Sequence, residues 1–147
     1  MEIDRRKLKG WLSRNLTPVK VEYGEEFSYS LENQVVTISK ELPDHYDEYL
    51  NFCKKKGLTE EIKPFALCLL HELGHDQTIF FMNELEYFVD SSLSIFTQTP
   101  SYTEFGRKLK YSLYYRLPCE IAATRWAIDF INNNIELVRE LETFIKE

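Results

Sequence analysis

The sequence predicts an α+β fold, in which a small three-stranded antiparallel sheet is combined with four to six packed helices. Hydrophobic and polar residues alternate between residues 19 and 39, which is typical of strands with one buried face. Elsewhere hydrophobic residues recur at three- and four-residue spacing, as they do on one face of a helix. No repeat, linker or low-complexity tract interrupts the 147 residues, so we expect one domain, residues 1–147.

The predicted sheet comes from two alternating segments, residues 19–23 and residues 27–39. The longer segment is expected to turn near residues 32–33, where Glu and Asn interrupt the hydrophobic pattern. A hairpin at that point provides two strands, and the shorter segment provides the third. We therefore expect three antiparallel strands, the last of them near Val35–Ser39.

The helical segments are marked by hydrophobic spacing, by proline near the start and by glycine or lysine near the end. They are residues 3–16, 42–57, 59–81, 103–117 and 118–131, with residues 84–96 partly helical in spacing and residues 135–147 closing the chain. Thr59 is expected to cap the third helix, with Glu60 and Glu61 near its positive end. Residues 98–102 and the asparagines at 132–134 are expected to interrupt helical structure.

Composition and charge exclude several classes of function. The chain is 44% hydrophobic and 14% aromatic, which is ample for a packed core, and its formal net charge of −6 disfavours direct binding to nucleic acid. Residues 1–20 are basic, which we interpret as a solvated helix face. The sequence has no apolar leader and no run of eighteen apolar residues, so we expect a soluble, cytoplasmic protein that does not bind membranes. The three cysteines lack CxxC spacing and are expected to be free thiols.

The motif HELGH lies inside the most hydrophobic segment of the chain, residues 65–81. Two of the three histidines, His71 and His75, are four residues apart and therefore share one face of a helix. Two imidazoles so placed can bind one Zn²⁺ at about 2.0–2.1 Å. Glu72 is rotated by about 100° from His71, beside the metal, which suits a general base acting on a zinc-bound water.

A catalytic zinc site commonly has three protein ligands, so a third ligand is required. The extended motif HExxHxxGxxH fails, because Thr78 and Phe81 stand where glycine and histidine are needed. Glu120 is favoured, because it opens a helix whose small residues would let a neighbouring helix lie close at Gly74. The other candidates for this ligand are Glu84, Glu86, Asp90 and His45. The candidates for the donor that stabilises the oxyanion are Tyr102, Tyr111, Tyr114, Tyr115, Arg116 and His45.

The motif HELGH, followed about 45 residues later by ExxAxxWA beginning at Glu120, resembles the gluzincin metallopeptidases. The chain is most similar to the small ImmA/IrrE-type proteins of bacteria, phages and mobile elements, over roughly residues 60–131. The spacer between the two motifs, rich in Tyr and Phe, departs from that family's pattern.

This resemblance implies a zincin-like fold and zinc-dependent hydrolysis of a peptide bond in a protein partner, such as a transcriptional repressor. It also implies the zinc ligands His71, His75 and Glu120, the general base Glu72, and a sheet whose edge strand near Val35–Ser39 receives an extended substrate.

Two other interpretations stay open. A zincin-shaped protein could bind a partner regulator without cleaving it, although binding alone does not require Glu72. A purely structural zinc site would need four closed ligands, and the chain has one further histidine and no paired cysteines. The sequence does not predict the identity of a substrate or an oligomeric state.

Overall fold

The computed structural model describes residues 1–98 and 103–146, and within them it has the predicted α+β class. The α-helices are α1 (Arg5–Asn15), α2 (Tyr46–Lys55), α3 (Pro64–Thr78), α4 (Glu84–Gln98), α5 (Glu104–Tyr114), α6 (Pro118–Asn133) and α7 (Ile135–Glu142). The strands are β1 (Glu2–Ile3), β2 (Lys20–Gly24), β3 (Ser28–Ser30), β4 (Val35–Ser39) and β5 (Ile145–Lys146), and a 3-10 turn (Ile79–Phe81) follows α3. These seven helices exceed the expected four to six.

The main sheet is mixed, so the prediction of three antiparallel strands is wrong. Its order is β2-β4-β3, with β2 parallel to β4 and β3 antiparallel to β4. The loop between β2 and β3 reverses the chain direction, but the two strands lie on opposite sides of β4 and do not pair with each other. Strand β4 is the central strand, because its Val36 and Ile38 are the most completely buried residues of the sheet. The expected edge strand near Val35–Ser39 is therefore paired on both sides, and the edges are β2 and β3.

The predicted hairpin is confirmed, since β3 and β4 are joined by a turn over residues 31–34. A second sheet was not predicted: β1 and β5 pair Ile3 with Ile145 and bring the two ends of the described chain together. Two-residue strands are too short to show alternation, which is why the sequence pattern does not reveal them.

The helix that carries the HELGH motif starts later than expected. Pro64 occupies its first turn, where a missing N–H costs nothing, and Lys63 is the cap residue. Thr59 does not cap it, and its hydroxyl instead donates to Asn132 Oδ1 at 3.2 Å. The expected break at residues 132–134 is confirmed between α6 and α7, whereas most of the break expected at residues 98–102 lies outside the described residues.

The core is centred on α3, which is buried continuously from Ala66 to Gly74. The main sheet lies on one side of this helix, through β3 and β4, and α6 lies on another. Within residues 1–98 and 103–146, none of the helices has the length and hydropathy needed to cross a membrane. The arrangement puts the middle of α3, including the HELGH motif, between the sheet and α6.

Candidate metal centre

Three side chains from two helices converge at the centre of the fold. His71 and His75 project from one face of α3, with ring centroids 4.8 Å apart and planes at 88°. The carboxylate of Glu120, in the first turn of α6, lies between them: its Oε2 is 2.7 Å from His71 Nε2, and its Oε1 is 3.2 Å from His75 Nε2. Glu120 is 4% exposed, so the cluster is enclosed by protein on most sides.

The close approach of α3 to α6 depends on Gly74. A Cβ atom added at this position would lie 2.5 Å from the carbonyl oxygen of Ala123, and no real Cβ contact is that short. Ala123 and Ala127 are fully buried on the facing side of α6. The bare surface of Gly74 thus brings the first turn of α6 against the motif helix, as its sequence position indicated.

The far nitrogen of His71 is held by a second layer of polar groups. Its Nδ1 lies 2.8 Å from the buried hydroxyl of Tyr49 on α2 and 3.4 Å from the hydroxyl of Thr124 on α6. Such contacts fix the ring orientation and leave Nε2 directed at Glu120. Tyr49 was not among the predicted site residues, although the spacing of Tyr46, Tyr49 and Cys53 marks the buried face of α2.

The main sheet contacts the second histidine through β3. The ring of Tyr29 stacks on His75, with centroids 6.4 Å apart and an interplanar angle of 9°. The hydroxyl of Tyr29 donates to Asp76 Oδ1 at 2.9 Å. Burial, reinforced by Asp76, raises the pKa of Tyr29 to about 12, so this hydroxyl stays protonated. The edge strand β3 therefore lies directly beside the cluster.

Opposite charges hold the cluster together. Burial alone would raise the pKa of Glu120, but the two imidazoles outweigh burial and hold the pKa of this carboxyl well below its usual range. Burial alone would lower the pKa of His75, but the charge of Glu120 and its hydrogen bond raise it to about 9. Without a metal the centre therefore carries a proton between Glu120 and His75 at neutral pH. The cluster therefore favours the binding of a positively charged species.

Glu72 faces the same space from the neighbouring position on α3. It is 7% exposed and lines a cavity of about 680 Å³ that His71 and Glu120 also line. Burial raises the pKa of Glu72, while the imidazoles of His71 and His75 oppose that rise. Among the hydrogen bonds of the described residues, none involves the Glu72 carboxylate. A carboxylate with a raised pKa and free oxygens suits proton transfer.

Several of the predicted oxyanion donors line this cavity. They are His45, Tyr111, Tyr114 and Tyr115. Arg116 is not among the lining residues, and Tyr102 lies outside the described residues. His45 Nδ1 lies 2.5 Å from the Tyr115 hydroxyl, and the Tyr114 hydroxyl interacts with Glu120. Burial, followed by Glu120, raises the pKa of Tyr114 far above its usual value, so this hydroxyl stays protonated and can donate.

The other candidate ligands have different partners. Asp90 Oδ1 accepts the backbone N–H of Cys119 at 3.1 Å, and Glu86 accepts from the Asn83 side chain at 2.8 Å. Glu84 and Glu86 lie in the first turn of α4 and do not line the cavity, whereas Asp90 and His45 do. None of these four side chains reaches the point between His71 and His75 that Glu120 occupies.

Cys119 was not predicted as a site residue, yet its Sγ lies 3.9 Å from Glu120 Oε1. Ligand atoms of His75, Cys119 and Glu120 all lie within 4.8 Å of one another. Burial, followed by Glu120, raises the pKa of the Cys119 thiol, which disfavours the thiolate that binds metals. The sequence hinted at this thiol only by placing it next to Glu120.

The donor set fits Zn²⁺. Two imidazole nitrogens and one carboxylate match a common catalytic combination that leaves a fourth position open. The separations of 2.7 and 3.2 Å run from different oxygens of the Glu120 carboxylate, so one zinc bound through a single oxygen would need that carboxylate to turn. The hydrogen bond between the Tyr49 hydroxyl and His71 Nδ1 holds the imidazole ring in place, as hydrogen bonds to zinc-bound histidines usually do.

Searches against protein-family models, curated proteins and solved structures find no match to this chain.

Proposed function

We propose that this chain is a zincin-fold zinc metallopeptidase, similar to the ImmA/IrrE-type proteins, that hydrolyses a peptide bond in a protein partner. One observation carries the proposal: His71 and His75 of α3 meet Glu120 of α6, and Glu72 lines the same cavity as His71 and Glu120. Buried ionisable groups are costly unless they are paired or bind a metal, and this cluster brings three of them together. The proposed zinc ligands are therefore His71, His75 and Glu120.

Zinc bound by these three residues supplies a Lewis acid, which lowers the pKa of water to about 7 and polarises the scissile carbonyl. Glu72 removes a proton from the attacking water, and its raised pKa lets it hold that proton. Glu72 then delivers the proton to the leaving amine. Tyr114, which stays protonated, donates a hydrogen bond to the oxygen that becomes negative when the carbonyl is attacked.

The substrate is proposed to bind as an extended strand along the outer edge of β3. An extended peptide can complete the hydrogen bonds of an exposed edge strand, which aligns its backbone without a fixed sequence. Because Tyr29 of β3 stacks on His75, a peptide on this edge passes beside the cluster. Phe27, which directly precedes β3, lines the same cavity as Glu72. A transcriptional regulator in the cytoplasm is the partner that the family resemblance favours.

The test compares wild type with Glu72→Gln for zinc content and cleavage. Wild type is expected to bind about one zinc per chain and to cleave a regulator encoded beside its gene. Glu72→Gln should keep zinc and fold but cleave about 10²–10⁴-fold more slowly, because only the base is lost. Glu61→Gln is the matched control, because Glu61 is exposed ahead of α3 and does not line the cavity.

The outcomes separate catalysis from simple binding. Equal cleavage by wild type and Glu72→Gln would remove Glu72 from the mechanism. Tight binding of the regulator by both proteins, with no cleavage by either in excess zinc, would favour a protein that docks without cutting. Absence of zinc from protein prepared in added zinc would reject the metal centre itself.

A further inference from the structure

The outer face of α4 and α5 exposes hydrophobic side chains that a solvated surface does not explain. Of the twelve large hydrophobic residues exposed in the described part of the chain, nine lie on the 3-10 turn, α4 or α5. They are Phe80, Phe81, Leu85, Tyr87, Phe88, Leu93, Phe105, Leu109 and Leu113. Single exposed hydrophobic residues are ordinary, but nine of them on one turn and two neighbouring helices are typical of an interaction surface.

The exposed residues form two helical stripes. On α4, Leu85 and Phe88 are three residues apart and are 70% and 69% exposed, and Phe81, 85% exposed, lies on the preceding 3-10 turn. On α5, Phe105, Leu109 and Leu113 recur every four residues and are also exposed. Side chains at these spacings lie on one face of a helix, so each helix presents a hydrophobic ridge outward. The two helices contact each other, which places the ridges side by side.

The inner faces of these helices bury little. No residue of 84–94 or of 104–114 is buried, although the inner side contributes Asp90 and Tyr111 to the cavity wall. Helices of this length are marginal in water, and in proteins their stability comes from packing a hydrophobic face. Tyr111 and Tyr114 of α5 pack against the core, but the most exposed hydrophobic side chains of the described residues are turned outward on α4 and α5. A covering partner would therefore stabilise both helices.

Charge complementarity identifies the partner as a second copy. Asp90 and Lys110 line the cavity, which leaves Glu84 and Glu86 with no basic residue on α4, and Arg107 and Lys108 against Glu104 on α5. Packing α4 against α4 or α5 against α5 would bring like charges together. Packing α4 of one copy against α5 of the other joins opposite charges, and two-fold symmetry makes that contact twice.

The area is also sufficient. Aromatic side chains bury about 150–250 Å² each, so the nine residues offer on the order of 1,000 Å² per copy. A standard interface buries about 800 Å² per partner. We propose that the chain forms a two-fold symmetric homodimer in which α4 of each copy packs against α5 of the other, making a four-helix bundle. This dimer is independent of the proposed peptidase activity.

Sedimentation equilibrium of the full chain over a wide concentration range tests the dimer. Wild type should reach twice the 17.5 kDa chain mass. Phe88→Glu and Leu109→Glu should each weaken association by about tenfold or more, because each buries a charge in the centre of the interface. Leu31→Glu is the matched control, since Leu31 is 43% exposed on the turn between β3 and β4. Circular dichroism confirms that the variants fold.

A charge exchange tests the pairing of α4 with α5. Glu84→Lys and Lys108→Glu should each weaken their own homodimer by about two- to fivefold. A mixture of the two variants should form heterodimers as stable as the wild-type dimer, because both contacts then join opposite charges. A monomeric wild type at every concentration would overturn the dimer. If Phe88→Glu and Leu109→Glu leave association unchanged, the two copies must contact each other elsewhere, and the proposed interface is wrong.

Discussion

The helix pairs α3–α6 and α4–α5 distribute polarity in opposite ways. Between α3 and α6, charged residues are buried and contact one another: Glu120 lies between His71 and His75. On the outside of α4 and α5, Phe88 and Phe105 are exposed. Burying charge and exposing aromatic rings both cost free energy in an isolated chain. Each pair therefore fits one of the components proposed above, a zinc ion for α3–α6 and a second copy for α4–α5.

The largest effect expected at α3–α6 is the loss of metal-dependent stability. At free zinc about 1,000-fold above Kd, binding stabilises the fold by about 4 kcal/mol. A chelator should therefore lower the melting temperature of wild type, and His75→Ala should melt at one temperature with and without chelator. Differential scanning calorimetry measures both. A wild type that melts identically after confirmed metal removal would show that α3–α6 needs no cation.

Acidification should weaken zinc binding steeply. The pKa of His75 is raised to about 9 in the metal-free centre, and its proton must leave before Nε2 can bind a metal. Apparent affinity should fall by about tenfold for each pH unit below 9, if one proton is displaced. Competition with a chromophoric chelator at several pH values measures this slope. A flat profile between neutral pH and pH 9 would contradict the protonated centre.

The metal-free fold should respond to pH in the opposite sense. A raised folded-state pKa at His75 contributes stability that is fully present below the unfolded value of 6.5 and is lost as the pH rises through about 9. The lowered pKa of Glu120 contributes stability that is lost only in acid. Chelated protein should therefore be less stable above pH 9 than at neutral pH, as urea unfolding can determine.

Adding a methyl group between α3 and α6 should be costly. Gly74→Ala places a Cβ 2.5 Å from the Ala123 carbonyl oxygen, so the helices must move apart, at about 1–3 kcal/mol. Gly10→Ala on α1 is the control, because its Cβ meets only the mobile end of Arg14. Helix propensity should make Gly10→Ala neutral or stabilising by up to about 1 kcal/mol. Urea unfolding compares them, and a stable Gly74→Ala would refute the tight crossing.

Removing the Tyr49 hydroxyl, which lies behind the candidate metal centre, should have a smaller effect, on the affinity for zinc. Tyr49→Phe deletes the group that lies 2.8 Å from His71 Nδ1, and loss of such a supporting contact reduces metal affinity by about tenfold or more. Tyr46→Phe, on the same buried face of α2, is the control and should bind zinc as wild type does. Equal zinc affinities for the two variants would mean that Tyr49 only packs.

The smallest effect is expected on the outer face of α5. At concentrations where the chain is monomeric, Phe105→Ser should change the free energy of unfolding by no more than about 0.5 kcal/mol, because Phe105 is 78% exposed. Its zinc content should match wild type. A large loss of monomer stability would show that this ring packs within its own chain, and the contrast between the two helix pairs would then disappear.

The sequence was sufficient for the helix crossing but insufficient for the sheet. Gly74 and the small residues of α6 are local features whose spacing survives folding, so the meeting of Glu120 with the motif helix could be predicted. Strand order depends on which strand pairs with which, and alternation reveals only that a strand has two faces. The parallel pairing of β2 with β4 was therefore missed. Tyr49 was missed because its role depends on α2 packing against α3.

The pairing of β1 with β5 has a consequence for the order of folding. It joins Ile3 to Ile145, and closing a loop of that length in an unfolded chain is entropically unfavourable. Docking of α1 on α7 shortens the loop, through the bond from the Trp11 indole to the Leu137 carbonyl at 3.1 Å. Strands of only two residues contribute too little stability to pair earlier in folding. Hydrogen exchange at these strands should therefore report the last step of folding and the first local opening of the native state.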